Sequence, residues 1–366
     1  MNSPQRLASI DALRGFDMLM IAGAGSFFVL LGGKTDVAWV DAIAEQFKHP
    51  AWNGFTFYDF IFPLFMFMAG VSLAFSLNSS RHRDLPKAVL YRKAFKRMLI
   101  LIGLGILYKN APLPVFEPTQ IRVGSVLGRI GFAGFVTTIL YLNCSPRGRV
   151  AWIAGVLLVY YAALHLVPVP GYGAGDLSFE GNLVGWIDRQ CMPGRLLQKT
   201  YDELGLLTQF PALCLTMLGA FGGDILRSED SGGQKLKTLG ILGLGGIALG
   251  LLWSLHFPVN KHLWTSSFIL LTGGMAFLAL ALFYGLIDVL GFKKWAFFFQ
   301  VIGMNSLTIY LLNGFVDFKH TSERLFGGLY SHAPEAWHVV WQALGALALV
   351  WLLLYFLYRH KLFLKV

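Results

Sequence analysis

The chain is too apolar and too poor in charge to be an ordinary soluble protein. Its 366 residues are 55% hydrophobic and 14% charged, whereas soluble domains carry about 25% charged residues. The net charge of +10 lies largely in short loops between long apolar runs, which is typical of membrane proteins and not of nucleic-acid-binding ones. The three scattered cysteines, Cys144, Cys191 and Cys214, exclude a disulfide framework and a zinc site.

Apolar runs of about 20 residues recur along the chain, the length that crosses a bilayer as a helix. They predict an all-α, polytopic membrane helix bundle of about ten transmembrane helices. No cleavage site follows the first run, so we expect a retained span. Residues 1–366 are predicted to form a single transmembrane domain. The predicted spans are 10–32, 57–77, 94–109, 123–142, 149–168, 204–226, 236–256, 264–288, 295–316 and 337–358.

Lysine and arginine are denser in one set of the loops between these spans. Because cytoplasmic loops are enriched in these residues, both termini are predicted to be cytoplasmic. The loop that contains His49 and the loops 169–203, 257–263 and 317–336 are then predicted to lie on the outer side. Loop 169–203 is rich in glycine and lacks a strong helix signal, and long loops of this kind are often functional.

His49 lies just before the second span, and Asp59 lies about one turn inside it. Histidine suits proton transfer near neutral pH, although an interfacial histidine can also be purely structural. An aspartate can orient an imidazole and stabilise its cation. Ten residues of straight helix rise about 15 Å, so contact requires the chain to fold back. Asp59 therefore pairs either with His49 or with an arginine such as Arg129.

Two arginines at the start of the fourth span are unusual in an apolar setting. Arg122 and Arg129 are seven residues apart and would share one face of a helix. Intramembrane cations must face the bundle interior or water. Two interpretations remain open: a structural ion pair with Asp59 or Asp11, or contact with an anionic ligand.

Further polar residues allow both structural and functional roles. Asp11 and Arg14 are three residues apart and can pair at the cytoplasmic start of the first span. Asn305 and Ser306 lie inside the span 295–316, where they can bond to a neighbouring helix or line a cavity.

The chain lacks several motifs that carry other chemistries. It has no P-loop, paired CxxC, HExxH or G-x-S-x-G with partners, which disfavours ATP-driven pumps, zinc hydrolases and serine hydrolases. No metal site is predicted. Lys261 and His262 lie in the outer loop 257–263, where such residues are usually interfacial.

Several segments, in order along nearly the whole chain, resemble one family. The sequence is similar to bacterial members of the heparan-α-glucosaminide N-acetyltransferase family, within the wider transmembrane acyltransferase group. The K-H-x-x-W-N-G element with its downstream D-x-x-F-P is the most specific part. The segments that carry the resemblance are 9–15, 48–54, 59–63, 122–131, 185–189, 258–264, 303–306 and 357–361.

The resemblance implies an enzyme that moves acetyl from cytosolic acetyl-CoA across the membrane to the amine of a terminal glucosamine. It implies a bacterial inner-membrane location, with acetyl-CoA, an amino-sugar acceptor and the lipid bilayer as partners and no nucleic acid; a homodimer is a candidate assembly. Its active-site histidine matches His49, which Asp59 is expected to support. The expected donor-binding residues are Arg14, Arg122, Arg129, Asn305 and Ser306, and the expected acceptor-binding residues are Asn53, Asp188 and Lys261.

Two departures from the lysosomal members leave the acceptor open. Those members carry an extra luminal N-terminal domain with a first span, and a histidine where this chain has Asn313. The acceptor is therefore expected to be a free amino sugar or a periplasmic glycan fragment. Two alternatives to an N-acetyltransferase stay open: a secondary transporter of a sugar or sugar acid, and an O-acetyltransferase of a surface polysaccharide.

Overall fold

The computed structural model describes residues 7–364, and this part of the chain is mostly helical with no strand. Within these residues, extended backbone pairs in two isolated bridges, Arg122–Gly194 and Val169–Gly173. The predicted all-α class is confirmed. The helices are α1 Ala8–Leu31, α2 Ala38–Gln46, α3 Phe57–Leu77, α4 Lys87–Lys109, α5 Val126–Asn143, α6 Pro146–Leu166, α7 Leu183–Cys191, α8 Gln209–Arg227, α9 Gly232–Ser254, α10 Ser266–Val289, α11 Ala296–Gly303, α12 Ser306–Phe315, α13 Phe318–Tyr330 and α14 Glu335–Arg359.

Within residues 7–364, eight helices are long and apolar enough to cross a membrane. A ninth span results if α11 and α12, which are bent by 68° at a short break, are counted as one. The predicted polytopic membrane bundle is therefore confirmed. The remaining predicted span, 94–109, lies in α4, which begins earlier, at Lys87, and includes the basic residues of the preceding loop.

The loop 169–203 contains a helix that the sequence did not predict. Helix α7 is nine residues long, and the Asn182 side chain caps it by accepting a hydrogen bond from the Gly185 amide at 2.7 Å. The sequence shows no strong helix signal here because about two and a half turns of capped helix leave only a weak periodic pattern.

The described chain forms two compact units. The first comprises residues 7–51, Phe55–Phe65 and 282–364, and the second comprises Trp52–Gly54 and Met66–Ala281.

In the first unit, α1 and α11 meet at two glycines. A Cβ atom on Gly15 would lie 1.8 Å from the Phe299 carbonyl oxygen, and one on Gly303 would lie 1.9 Å from that of Asp11. Only glycine permits this backbone contact.

A core of the first unit packs around Phe47, at the end of α2. Phe47 is buried together with Met20, Ala24 and Ile61, and its ring stacks on Phe28 with centroids 4.6 Å apart. Because Phe47 lies two residues before His49, this packing fixes the start of the loop that carries the histidine.

A core of the second unit fixes the loop between α9 and α10. Phe257 and Leu263, at the two ends of this loop, are buried against Leu164 and Val184. The Tyr160 hydroxyl donates a hydrogen bond to the Leu263 carbonyl oxygen at 2.6 Å. The segment entering α10 is thus ordered by buried contacts at both ends.

Candidate active site

His49 and Asp59 are in direct contact. The His49 Nδ1 atom lies 2.6 Å from Asp59 Oδ1, and the His49 ring stacks on Tyr58 with centroids 5.1 Å apart. The sequence left open whether Asp59 reaches His49 at all. The contact is possible because α3 begins only at Phe57, so the intervening residues form a turn instead of a straight helix.

Thr56 fixes the second oxygen of the Asp59 carboxylate. Asp59 Oδ2 accepts a hydrogen bond from the Thr56 amide at 3.0 Å, and the Thr56 hydroxyl lies 3.2 Å from the same oxygen and 2.7 Å from the Lys48 carbonyl oxygen. The Asp59 side chain is only 1% exposed, whereas that of His49 is 43% exposed. A buried, oriented carboxylate therefore supports an accessible imidazole.

This arrangement determines which ring nitrogen can do chemistry. Because a carboxylate only accepts hydrogen bonds, we assign the proton of neutral His49 to Nδ1. The lone pair then lies on Nε2, which can take a proton or attack an electrophile. Asp59 also stabilises the imidazolium that forms when Nε2 is protonated. The pair has the geometry of a general base and its orienting acid.

The three residues that follow Ala51 are anchored in the second unit by contacts with two of its loops. The Trp52 indole donates to the Leu177 carbonyl oxygen at 2.9 Å. The Asn53 side-chain oxygen accepts from Asn260 Nδ2 at 3.0 Å, and the Gly54 amide donates to the Val259 carbonyl oxygen at 2.9 Å. Asn53, a predicted acceptor-binding residue, thus takes part in anchoring the loop.

Arg122 is held by a partner that the sequence did not suggest. Its Nε and Nη2 atoms each lie 2.7 Å from an oxygen of Asp202, and both side chains are buried. Arg122 also precedes α5, so it does not share a helical face with Arg129 as expected. A two-pronged arginine–carboxylate pair of this kind is strong and directional. The geometry favours a scaffold role for Arg122, and its predicted donor contact stays a prediction.

Arg129 is 2% exposed and lies in the first turns of α5. Its Nη2 atom donates to the Glu203 carbonyl oxygen and to the Thr208 hydroxyl. Its guanidinium carbon lies 4.5 Å from the centre of the Trp264 ring. Within residues 7–364, its Nε and Nη1 atoms have no hydrogen-bond partner. A buried guanidinium with unused donors is suited to an anionic or carbonyl-bearing ligand.

Asp188, a predicted acceptor-binding residue, is fully buried and ties the chain after α7 into place. Its two carboxylate oxygens accept hydrogen bonds from the amides of Asp202 and Leu206, at 3.1 and 3.0 Å. Burial raises the pKa of Asp188 to about 6, outweighing these two hydrogen bonds, which lower it. The contacts favour a structural role, and an acceptor contact stays a prediction.

A second histidine–carboxylate pair, which was not predicted from the sequence, lies in the second unit. His262 Nδ1 lies 2.9 Å from Glu203 Oε1 and 2.8 Å from the Tyr201 hydroxyl. The His262 ring stacks on Trp52, with ring centres 5.2 Å apart. The one sequence signal for this pair is the position of His262 in the loop 257–263, next to the predicted site residue Lys261. Lys261 itself is half-buried.

The remaining predicted site residues lie in the first unit. Arg14 forms an ion pair with Asp11, as one interpretation of the sequence proposed. Asn305 and Ser306 lie at the break between α11 and α12. The Ser306 hydroxyl donates to the Gly303 carbonyl oxygen at 2.7 Å. Within residues 7–364, both polar atoms of the buried Asn305 side chain have no hydrogen-bond partner.

Comparisons with known proteins identify the family. The family model described as "Heparan-alpha-glucosaminide N-acetyltransferase, catalytic" matches residues 6–241. The chain belongs to this family. The matched region includes His49, Asp59, Arg122, Arg129 and Asp188.

Two curated relatives match along the whole chain. The heparan-alpha-glucosaminide N-acetyltransferase of Homo sapiens is 29% identical, over 99% of this chain and 60% of the relative. The protein of the same name from Mus musculus is 27% identical, over 100% of this chain and 61% of the relative. The chain thus spans about 60% of the length of the curated relatives it matches.

Proposed function

We propose that this membrane protein is an acetyl-CoA-dependent acetyltransferase that acetylates the amine of an amino sugar on the extracytoplasmic side of a bacterial inner membrane. The observation that carries the proposal is the His49–Asp59 pair, which combines an accessible imidazole with a buried carboxylate. Family membership supports acyl transfer as the reaction class. The predicted orientation of the chain supports an outer-side acceptor.

His49 supplies the proton transfers that this reaction needs. A protonated amine cannot attack a thioester, so Nε2 of His49 first removes a proton. The nitrogen then forms a C–N bond to the acetyl carbonyl carbon, and the C–S bond of the thioester breaks. Of the two protons lost by the ammonium group, one ends on the CoA sulfur and one is released to water. A variant of this route, in which Nε2 carries the acetyl group first, uses the same atom.

Asn305, in the first unit, has chemistry that fits the donor, and Arg129, in the second unit, has such chemistry when it is considered by itself. Acetyl-CoA offers a thioester carbonyl, amide groups and phosphates, all of which accept hydrogen bonds. The Nε and Nη1 groups of Arg129 and the amide of Asn305 are buried without partners in residues 7–364, and such groups are costly unless a ligand satisfies them. We propose that Arg14 and Ser306 also contact acetyl-CoA.

A release assay tests the proposal. Purified protein in detergent should convert acetyl-CoA to free CoA only when glucosamine is present, and mass spectrometry should find acetyl on nitrogen. Glucose, which lacks the amine, is the matched control acceptor. Ester formation would point instead to an O-acetyltransferase. Absence of acceptor-dependent CoA release, with sugar uptake into sealed vesicles, would contradict the proposal in favour of the transporter.

A further inference from the structure

The Tyr58 ring covers one face of the His49 imidazole. The two ring centroids are 5.1 Å apart and the ring planes differ by only 25°, which is a stacked arrangement. Tyr58 immediately precedes Asp59 in the first turn of α3, so one short segment contacts the imidazole twice. His49, Tyr58 and Asp59 all belong to the first unit, and the arrangement therefore depends on this unit alone.

The contact with Asp59 does not by itself determine where the reacting nitrogen of His49 points. A single hydrogen bond holds Nδ1 in place but leaves the ring plane able to tilt about that atom. Because 43% of the His49 side chain is exposed, burial does not prevent this motion. A stacked aromatic ring does restrict it, since tilting the imidazole would break the contact between the two faces.

The Tyr58 ring is itself held by α1 and by Phe47. A Cβ atom on Gly25 would lie 2.4 Å from Tyr58 Cε2 and 2.8 Å from Cζ, so the ring packs directly against the backbone of α1. The Phe47 ring lies 6.0 Å away, tilted by 49°. Gly25 has ordinary helical dihedral angles, φ −57° and ψ −48°. A side chain at Gly25 is therefore excluded by the Tyr58 ring and not by the backbone conformation.

We propose that Tyr58 is a positioning residue for His49, and that Gly25 provides the surface on which the Tyr58 ring rests. Asp59 fixes Nδ1, the Tyr58 face fixes the plane of the imidazole, and together they direct Nε2 toward the reactants. This role rests on the proposed function, in which Nε2 removes a proton from the amine. Because the direction of Nε2 matters in the transition state, loss of the role lowers kcat and leaves substrate binding unchanged.

Kinetics of Tyr58 variants test this role. Tyr58→Leu keeps an apolar side chain but removes the flat ring, and it should lower kcat about two- to tenfold, with the KM values for acetyl-CoA and glucosamine unchanged. Tyr58→Phe keeps the ring and should retain kcat within about twofold of wild type. Full kcat in Tyr58→Leu, or equal losses in the two variants, would overturn the role.

A double-mutant cycle tests the part played by Gly25. Gly25→Ala should lower kcat as Tyr58→Leu does, because the added methyl group displaces the ring, although alanine itself favours a helix. In Tyr58→Ala no ring remains to be displaced, so adding Gly25→Ala should cause no further loss. Gly134→Ala is the matched control, since a Cβ there meets open space in α5. Additive losses would show that Gly25 does not act through Tyr58 and would overturn the arrangement.

Chemical modification of His49 separates failure of this role from failure of the proposed function. Diethyl pyrocarbonate acylates the unprotonated nitrogen of histidine, and mass spectrometry measures the rate at each histidine without turnover. Tyr58→Ala uncovers one face of the imidazole, so modification of His49 should become about two- to fivefold faster, while that of the exposed His256 stays constant. An unchanged rate at His49 would overturn the role. If the rate rises as expected but wild type transfers no acetyl, the proposed function fails and the positioning of His49 by Tyr58 stands.

Discussion

The two histidine–carboxylate pairs of this protein look alike in distance but differ in what surrounds them. His49 Nδ1 lies 2.6 Å from Asp59, and His262 Nδ1 lies 2.9 Å from Glu203. Asp59 is buried and also bonded to Thr56, whereas the Glu203 side chain is partly exposed. The His262 nitrogen is also close to a tyrosine hydroxyl, and its ring is covered by Trp52.

Under the proposed function, contact between the two side chains is not what distinguishes the proposed catalytic pair, His49 and Asp59, from the other pair. A catalytic imidazole needs one nitrogen fixed by an oriented acid and the other nitrogen accessible to the reactants. His49 meets both conditions. The contacts of His262 instead favour a structural role, because they join Trp52 to the 201–203 segment. We therefore expect substitutions in the two pairs to have effects of different size and kind.

The largest effect is expected from His49→Ala. Loss of the general base should lower kcat for acetyl transfer about 10²- to 10⁴-fold. His262→Ala should lower activity by less than about tenfold, because it loosens the anchored loop without removing the reacting nitrogen. Acceptor-dependent CoA release measures both, and His256→Ala, in an exposed loop position, is the control. Comparable losses in the two pairs would contradict the distinction.

A smaller effect is expected from Asp59→Asn. The amide oxygen still accepts the Nδ1 proton, but the negative charge that stabilises the imidazolium is lost. We expect kcat to fall about 10- to 100-fold, as measured by acceptor-dependent CoA release. Glu203→Gln should lower kcat by less than this. Full activity in Asp59→Asn would show that the carboxylate does not assist His49.

The next prediction concerns stability and activity, and it tests the turn that brings His49 back to Asp59. Gly54 has a φ of 128°, a conformation that side chains with a Cβ adopt only at a cost of about 1–3 kcal/mol. Gly54→Ala should lower the melting temperature and reduce activity together. Gly233→Ala is the matched control, since a Cβ there meets open space near the start of α9. Full activity in Gly54→Ala would mean that the turn does not position the histidine.

The last prediction concerns the pH dependence of stability and involves Asp188. Its pKa is raised to about 6 in the folded protein from an ordinary value of 3.8, so the folded state binds more protons than the unfolded state between these values. This group's contribution to the free energy of unfolding therefore falls as pH rises from about 4 to 6, by on the order of 3 kcal/mol. Thermal melts of wild type and Asp188→Asn across that range should differ in slope. Parallel curves would contradict the raised pKa.

The fold could be predicted from the sequence because apolar length is nearly sufficient to define a membrane helix. The helices at Phe57–Leu77 and Gly232–Ser254 lie within a few residues of their predicted bounds. The short α7 escaped prediction because its order comes from the Asn182 cap and from burial, not from a long periodic pattern.

The site was only partly predictable. His49 is predicted as a site residue from a local motif, but its contact with Asp59 depends on where α3 begins, and helix ends are the least certain feature of a sequence. The pairing of Arg122 with Asp202 joins residues 80 positions apart, and no local pattern encodes it. The His262 pair was missed for the same reason, because Glu203 lies 59 residues away.

The packing of α1 against α11 at Gly15 and Gly303 has a consequence for the order in which the two units fold during synthesis. It joins parts of the chain 288 residues apart, so α1 cannot reach its packed state until α11 has left the ribosome. Residues 66–281, by contrast, form a nearly continuous unit that can pack earlier during synthesis. The unit that holds His49 and Asp59 is therefore completed last, and a chain that stops after residue 281 would lack the partner on which its first helix depends.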